Sequence, residues 1–209
     1  MHSRLLRRPQ FVAAAMLLLM LGACTTVERR QTQLQYDLGY PAARAAAAAP
    51  ARSSPVPVSV SEISAPSWMD STRMYYRLDY DNPLEAHTYA QARWTMAPSR
   101  LFLQRLKARV SEAGGGVLGG GDGAVGVPRL RIEADDFSQV FSAPKVSTAR
   151  VAMRVSVLQD RKLIAQRTFT TSAPAPTPDA AGGVHALALA SDAMIADMIA
   201  WLSTLPLAR

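Results

Sequence analysis

Residues 33–40, QLQYDLGY, alternate strictly between polar and apolar positions. Leu34, Tyr36, Leu38 and Tyr40 fall on one side and Gln33, Gln35 and Asp37 on the other, which is the period of a half-buried strand. The same pattern returns at residues 71–80, STRMYYRLDY, where Met74, Tyr76, Leu78 and Tyr80 oppose Arg73, Tyr75, Arg77 and Asp79. Between these runs, Val56, Val58 and Val60 alternate with Pro57, Ser59 and Ser61, a strand with a proline at its edge. Asp81-Asn82-Pro83 predicts a turn. Residues 86–96 keep no clear period and read as a short extended segment around Tyr89 to Trp94.

Pro98 suits the first turn of a helix. Leu103, Leu106 and Val110 then recur at helical spacing, flanked by Leu101 and Phe102, and Gly114 supplies a stop. Arg100, Arg105, Lys107 and Arg109 are placed on the outer face of this helix, as a solvated surface or a site for an anionic head group. The second half repeats the order. A strand covers residues 128–142 through Leu130, Ile132 and Ala134, and its phase change near Asp135 to Phe137 predicts a bulge. Val151, Met153, Val155 and Val157 form another strand, and residues 161–171 pair with it across Gln159-Asp160-Arg161. An extended linker over residues 173–178 leads to a last helix that Asp179 caps. That helix carries Val184, Leu187, Ser191, Met194, Ile195, Met198, Trp201 and Leu202 on one broad face and ends before Pro206.

The predicted order is β-β-β-α, twice. Short connections favour a mostly antiparallel sheet with both helices packed on one face, an α+β two-layer domain over residues 33–205. Met194, Met198 and Trp201 widen the last helix's apolar stripe beyond what one face needs. The sheet covers this excess, or a partner does: a second copy in a homo-oligomer, or another protein.

The first 23 residues have another logic. Arg4, Arg7 and Arg8 precede thirteen uncharged residues, Phe11 to Ala23, and small Gly22 and Ala23 stand before Cys24. This is the zoning of an export signal. Thirteen residues rise about 20 Å as a helix, short of a bilayer's hydrocarbon core of about 30 Å, which weighs against an uncleaved membrane anchor. Cys24 is the only cysteine, so no disulfide forms within one chain. Leu21-Gly22-Ala23-Cys24 resembles the lipobox of bacterial lipoproteins. The resemblance implies removal of residues 1–23, a diacylglycerol on the Cys24 thiol and an acyl chain such as palmitate on its amine, with residues 24–32 as a lipidated tether. Acyl chains contribute roughly 0.8 kcal/mol per buried CH₂, and two or three make a stable anchor. Thr25 is not the aspartate that marks inner-membrane retention in such lipoproteins. The implied place is the outer membrane, facing the periplasm.

Charge and motifs mainly exclude functions. Without residues 1–23 the chain keeps 20 basic and 16 acidic residues, a net +4, with no Lys/Arg-rich run that would suit nucleic acid. Outside the signal only His87 and His185 remain, not at ligand spacing, so no metal site is expected. Asp135 and Asp136 are adjacent on a strand and read as bulge residues, not as a converging acid–base pair. GDGAVG at 121–126 matches a dinucleotide-binding spacing but precedes a strand instead of opening a helix. It reads as part of a flexible hairpin-like connection from Gly114 to Gly126. No cofactor and no catalytic residue is expected.

Trp68, Tyr76, Arg77 and Leu78, then Tyr89, Ala90, Arg93, Trp94 and Pro98, resemble the blocks of the ABC-type transport auxiliary lipoprotein family. YDLG at 36–39, DFSQVF at 136–141 and the ending at 182–202 fit the same family, with departures at the Ala/Pro-rich segment 41–57 and the glycine loop. The resemblance implies a non-enzymatic auxiliary component beside an inner-membrane ABC transporter and an MCE-domain protein, in a system moving lipids or other hydrophobic molecules across the envelope. Composition alone leaves open an interaction lipoprotein unrelated to transport, such as an activator of peptidoglycan synthesis, or a periplasmic hydrolase.

Overall fold

The computed structural model describes residues 32–40, 57–120 and 126–207. The signal, Cys24, most of the tether, most of the Ala/Pro-rich segment and most of GDGAVG lie outside the described residues. The elements are, in order, β1 (Leu34–Tyr36), β2 (Val58–Ser64), β3 (Arg73–Leu78), β4 (Asn82–Trp94), α1 (Pro98–Glu112), β5 (Val117–Gly119), β6 (Arg129–Ala143), β7 (Val146–Gln159), β8 (Lys162–Pro174) and α2 (Ala180–Leu202). The fold is α+β, as the periodicity predicts. Each half gains a strand over the expected β-β-β-α: β4 is long, and β5 lies inside the glycine-rich stretch read as a hairpin-like connection.

The sheet is mixed. Its long ladders, β6–β7 and β7–β8, and the β3–β4 hairpin are antiparallel, as short connections require. Four shorter pairings are parallel: β1–β4, β2–β5, β2–β6 and β3–β6. β2 and β3, neighbours in sequence, do not pair with each other. They lie one after the other along β6, β2 beside Leu130 and Ile132, β3 beside Gln139 to Phe141. The connection between them carries the chain forward instead of turning it back. It is pinned where the Met69 and Asp70 amides donate to the Pro66 carbonyl and Met69 enters the core. β6 also carries the predicted bulge, a register shift between Ala134 and Asp136.

Local chemistry explains the boundaries. β1 stops at Tyr36 because the Asp37 carboxylate accepts the Gly39 amide at 2.7 Å and Gly39 takes a left-handed φ of 67°. The expected alternation to Tyr40 therefore breaks; Leu38 turns into the core while Tyr40 stands in solvent. In α1, Pro98 occupies the first turn, and Gly114 at φ 81° ends the helix as expected. Asp160 and Arg161, both at positive φ, form the two-residue β7–β8 turn. Asp179 caps α2 by accepting the Gly182 amide at 2.8 Å.

α2 packs on β6, β7 and β8 and also meets α1. It is long and apolar enough to cross a membrane, yet its stripe is core. Leu187, Ser191, Met194, Ile195 and Met198 are buried, and the Trp201 ring packs edge-on against Phe169 at 5.5 Å. The sheet thus covers Met194 and Met198, while Val184, Trp201 and Leu202 of the same stripe stay half-buried.

Candidate functional site

Arg105 and Arg109, four residues apart on α1, point the same way, toward α2, where Asp192 receives both. The Arg105 Nε and Nη2 donate to the two Asp192 oxygens at 2.6 and 2.8 Å. Arg109 makes a second fork on the same carboxylate at 2.9 and 2.6 Å and reaches Glu112 with Nη1 at 2.8 Å. Arg105 is only 6 % exposed, and its remaining Nη1 donates to the Leu38 and Gly39 carbonyls at 2.5 and 3.1 Å. The placement of these two arginines on an outer face is therefore wrong. They are the junction between the helices, and only Arg100 and Lys107 of the basic set stand fully in solvent. Burial works against the Asp192 charge, but the hydrogen bonds from the two guanidinium groups outweigh it and hold its carboxyl below the ordinary range. Arg109 is pushed further up by its bond to Asp192.

This junction holds the N-terminal lead of the domain. Besides the Arg105 bonds, Leu34 to Tyr36 pair with Ala92 to Trp94, and the Thr95 amide donates to the Tyr36 carbonyl at 2.8 Å. Gln33 accepts from the Arg93 Nε at 2.8 Å. Residues 33–39 are therefore fixed to β4 and to α1.

A second cluster joins residues from four separate sequence blocks. The Tyr76 ring lies 4.7 Å from Tyr89, 5.1 Å from His87 and 5.9 Å from Phe141, centroid to centroid. The Tyr89 hydroxyl donates to the Gln139 Oε1 at 2.8 Å, and the Gln139 Nε2 donates to the Ser147 Oγ at 2.8 Å. Gln139 is almost fully buried, and both ends of its amide are satisfied. Gly183 of α2 closes over it; a Cβ there would overlap the Gln139 Oε1. Burial, reinforced by Tyr76 and Asp179, pushes the Tyr89 phenol well above its usual value, so it stays a donor. Trp94 packs edge-on against Phe137 in the core. The aromatic residues of the family blocks thus serve packing. Tyr76, Tyr89, Gln139 and Gly183 meet, although no sequence spacing links them.

The other singled-out residues stay apart. Asp136 accepts from Ser138 at 2.8 Å and lies 3.5 Å from Arg150, while Asp135 faces Arg154 at 3.6 Å. His87 lies 3.7 Å from Glu85, and His185 is exposed on α2. Among the described residues no three His, Cys, Asp or Glu side chains are grouped to hold a metal. Cys24 lies outside the described residues. Sequence reasoning missed the Arg105–Asp192 junction; the signal it held was two arginines four apart on a helix, a spacing that puts both on one face.

The described domain is thus a mixed sheet on which two mutually contacting helices pack, with an N-terminal lead held to β4 and α1. A family described as the ABC-type transport auxiliary lipoprotein component matches residues 36–200, and the chain belongs to it. The family is described as one of transport auxiliaries, and that description associates its members with ABC-type transport. No curated protein matches the chain. A crystal structure of a Xanthomonas campestris protein of family DUF330 shares the fold, with a TM-score of 0.61 at 18 % identity over 84 % of this chain and 88 % of that one. A second crystal structure, of an uncharacterized protein, aligns with a TM-score of 0.63 at 12 % identity over 82 % of this chain and 99 % of that one.

Proposed function

We propose that the protein is an outer-membrane lipoprotein facing the periplasm, and that it serves an envelope transport system as its auxiliary component. Residues 1–23 are removed, Cys24 carries the lipid, and residues 24–32 tether the domain of residues 33–205. The observation that carries this reading is the family match over residues 36–200 in a chain that also holds Leu21-Gly22-Ala23-Cys24. The partners are an MCE-domain protein and an inner-membrane ABC transporter. The cargo is a lipid or another hydrophobic molecule. The domain binds and positions and does not catalyse. An N-terminal lead held by Arg105 at the Leu38 and Gly39 carbonyls supports a positioning role.

The test is affinity purification of the tagged protein from detergent-solubilised envelopes, with density fractionation of the same cells. The expected result is co-purification of an MCE-domain protein and a position in the outer-membrane fraction. Recovery in the inner-membrane fraction with no transport protein attached would overturn the reading.

A further inference from the structure

Large apolar side chains are exposed at both ends of the sheet, Leu163 and Ile164 beside the β7–β8 turn and Tyr80 and Leu84 on the β3–β4 hairpin. Every residue from Asp79 to Ala86 is exposed. Two of them are large and apolar, Tyr80 at 47 % and Leu84 at 89 % exposure, and neither has a role in the core. Val146, at the start of β7, is exposed at the same end of the sheet, because β3 runs parallel to β6 and Leu78 pairs with Phe141. Isolated surface leucines are ordinary. What marks this tip is where the chain comes from.

β1 pairs with β4 in parallel, with Leu34 opposite Ala92. β4 runs from the hairpin tip toward Trp94, so β1, followed backward, heads toward the tip. Leu84 precedes Ala92 by eight residues, at most about 27 Å, and less with the register shifts of β4. Cys24 precedes Leu34 by ten residues, which span at most about 35 Å. A lipid on Cys24 therefore keeps the domain near its membrane, with the hairpin tip inside the radius the tether allows. The β7–β8 turn lies at the opposite end of the sheet from Val146.

We propose that the β3–β4 hairpin tip is a second membrane contact: Tyr80 and Leu84, flanked by Val146, rest in the headgroup region of the bilayer that holds the Cys24 lipid. The phenol of Tyr80 suits that boundary, with an apolar body and a polar end. Asp79, Asp81 and Glu85 flank the tip, so the surface it fits is zwitterionic and not strongly anionic. The contact sets the orientation of the domain over the membrane, which a lipid on Cys24 alone does not. This proposal rests on the lipidated Cys24 of the proposed function.

The test supplies the anchor chemically, so that it does not depend on acylation in the cell. The chain from Cys24 onward is coupled through that thiol, its only one, to a maleimide lipid in phosphatidylcholine/phosphatidylethanolamine vesicles with brominated acyl chains. Leu84→Trp is compared with Lys162→Trp, which sits beside the β7–β8 turn. The expected result is at least about twofold quenching of the added Leu84→Trp fluorescence, with none at Lys162→Trp. Tyr80→Ser placed in the Leu84→Trp chain should reduce that quenching. Equal, unquenched emission from both positions would overturn the proposal and leave the tip to a protein partner. Failure of the Cys24 reading itself shows separately, as an unmodified cysteine in protein taken from cells.

Discussion

Two sets of arginines and carboxylates on this domain use the same chemistry to different ends. On the open face of the sheet, Arg131, Arg150 and Arg154 face Glu133, Asp135 and Asp136 at 3.1 to 3.6 Å. The three arginines there are 45 to 69 % exposed, and water screens each pair. Between the helices, one carboxylate, Asp192, takes both forks of Arg105 and Arg109, and Arg105 is enclosed. The first set keeps a sheet face soluble. The second joins α1, α2 and the N-terminal lead at one point. The difference lies in enclosure and in the number of hydrogen bonds per charge, not in residue type.

The comparison breaks first at Asp192. Asp192→Ala leaves the Arg105 guanidinium buried against the Leu38 and Gly39 carbonyls without its counter-charge, which should cost about 3–5 kcal/mol in chemical denaturation. Arg105→Lys keeps the charge but loses the planar fork, and about 2 kcal/mol is expected, with faster hydrogen exchange in residues 34–39 as the lead loosens. Acid sharpens the contrast. The Asp192 carboxyl is held below its unfolded value, so its contribution is complete above the ordinary carboxylate value of about 3.9 and is lost as pH falls below it through the folded value. The wild-type protein should therefore lose stability over that window, and Asp192→Ala should lose less across it when acid titrations of both are followed by circular dichroism. The smallest effect is expected on the open face, where Arg154→Ala should change stability by less than about 0.5 kcal/mol.

Much of this architecture is legible in the sequence because one-sided burial leaves a period. β3, β6, β7, β8 and α2 each bury one face, and the alternation or helical stripe marks them. The bulge in β6 shows as a change of phase, and the caps of both helices as proline, glycine and aspartate in their usual places. β4 is faint for the opposite reason: its first half projects into solvent on both sides, so no alternation is imposed. β5 is three residues among glycines and exists only because β2 offers it a parallel edge. Arg105 hides because a helix wheel shows which residues share a face but not what lies opposite. Its partners, Asp192 and the carbonyls of Leu38 and Gly39, are 87, 67 and 66 residues away. The clustering of Tyr76, Tyr89, Gln139 and Gly183 is likewise a product of topology.

The central claim is that this domain works from a lipid on Cys24. The most direct measurement is the intact mass and N-terminal fragment spectrum of the protein extracted from cell envelopes. The account predicts a chain that begins at Cys24 and is heavier than its residues by a diacylglycerol, with an added acyl chain where the amine is modified. In Cys24→Ala the precursor should persist, uncleaved and without lipid. A wild-type chain that begins elsewhere, or at an unmodified Cys24, would contradict it.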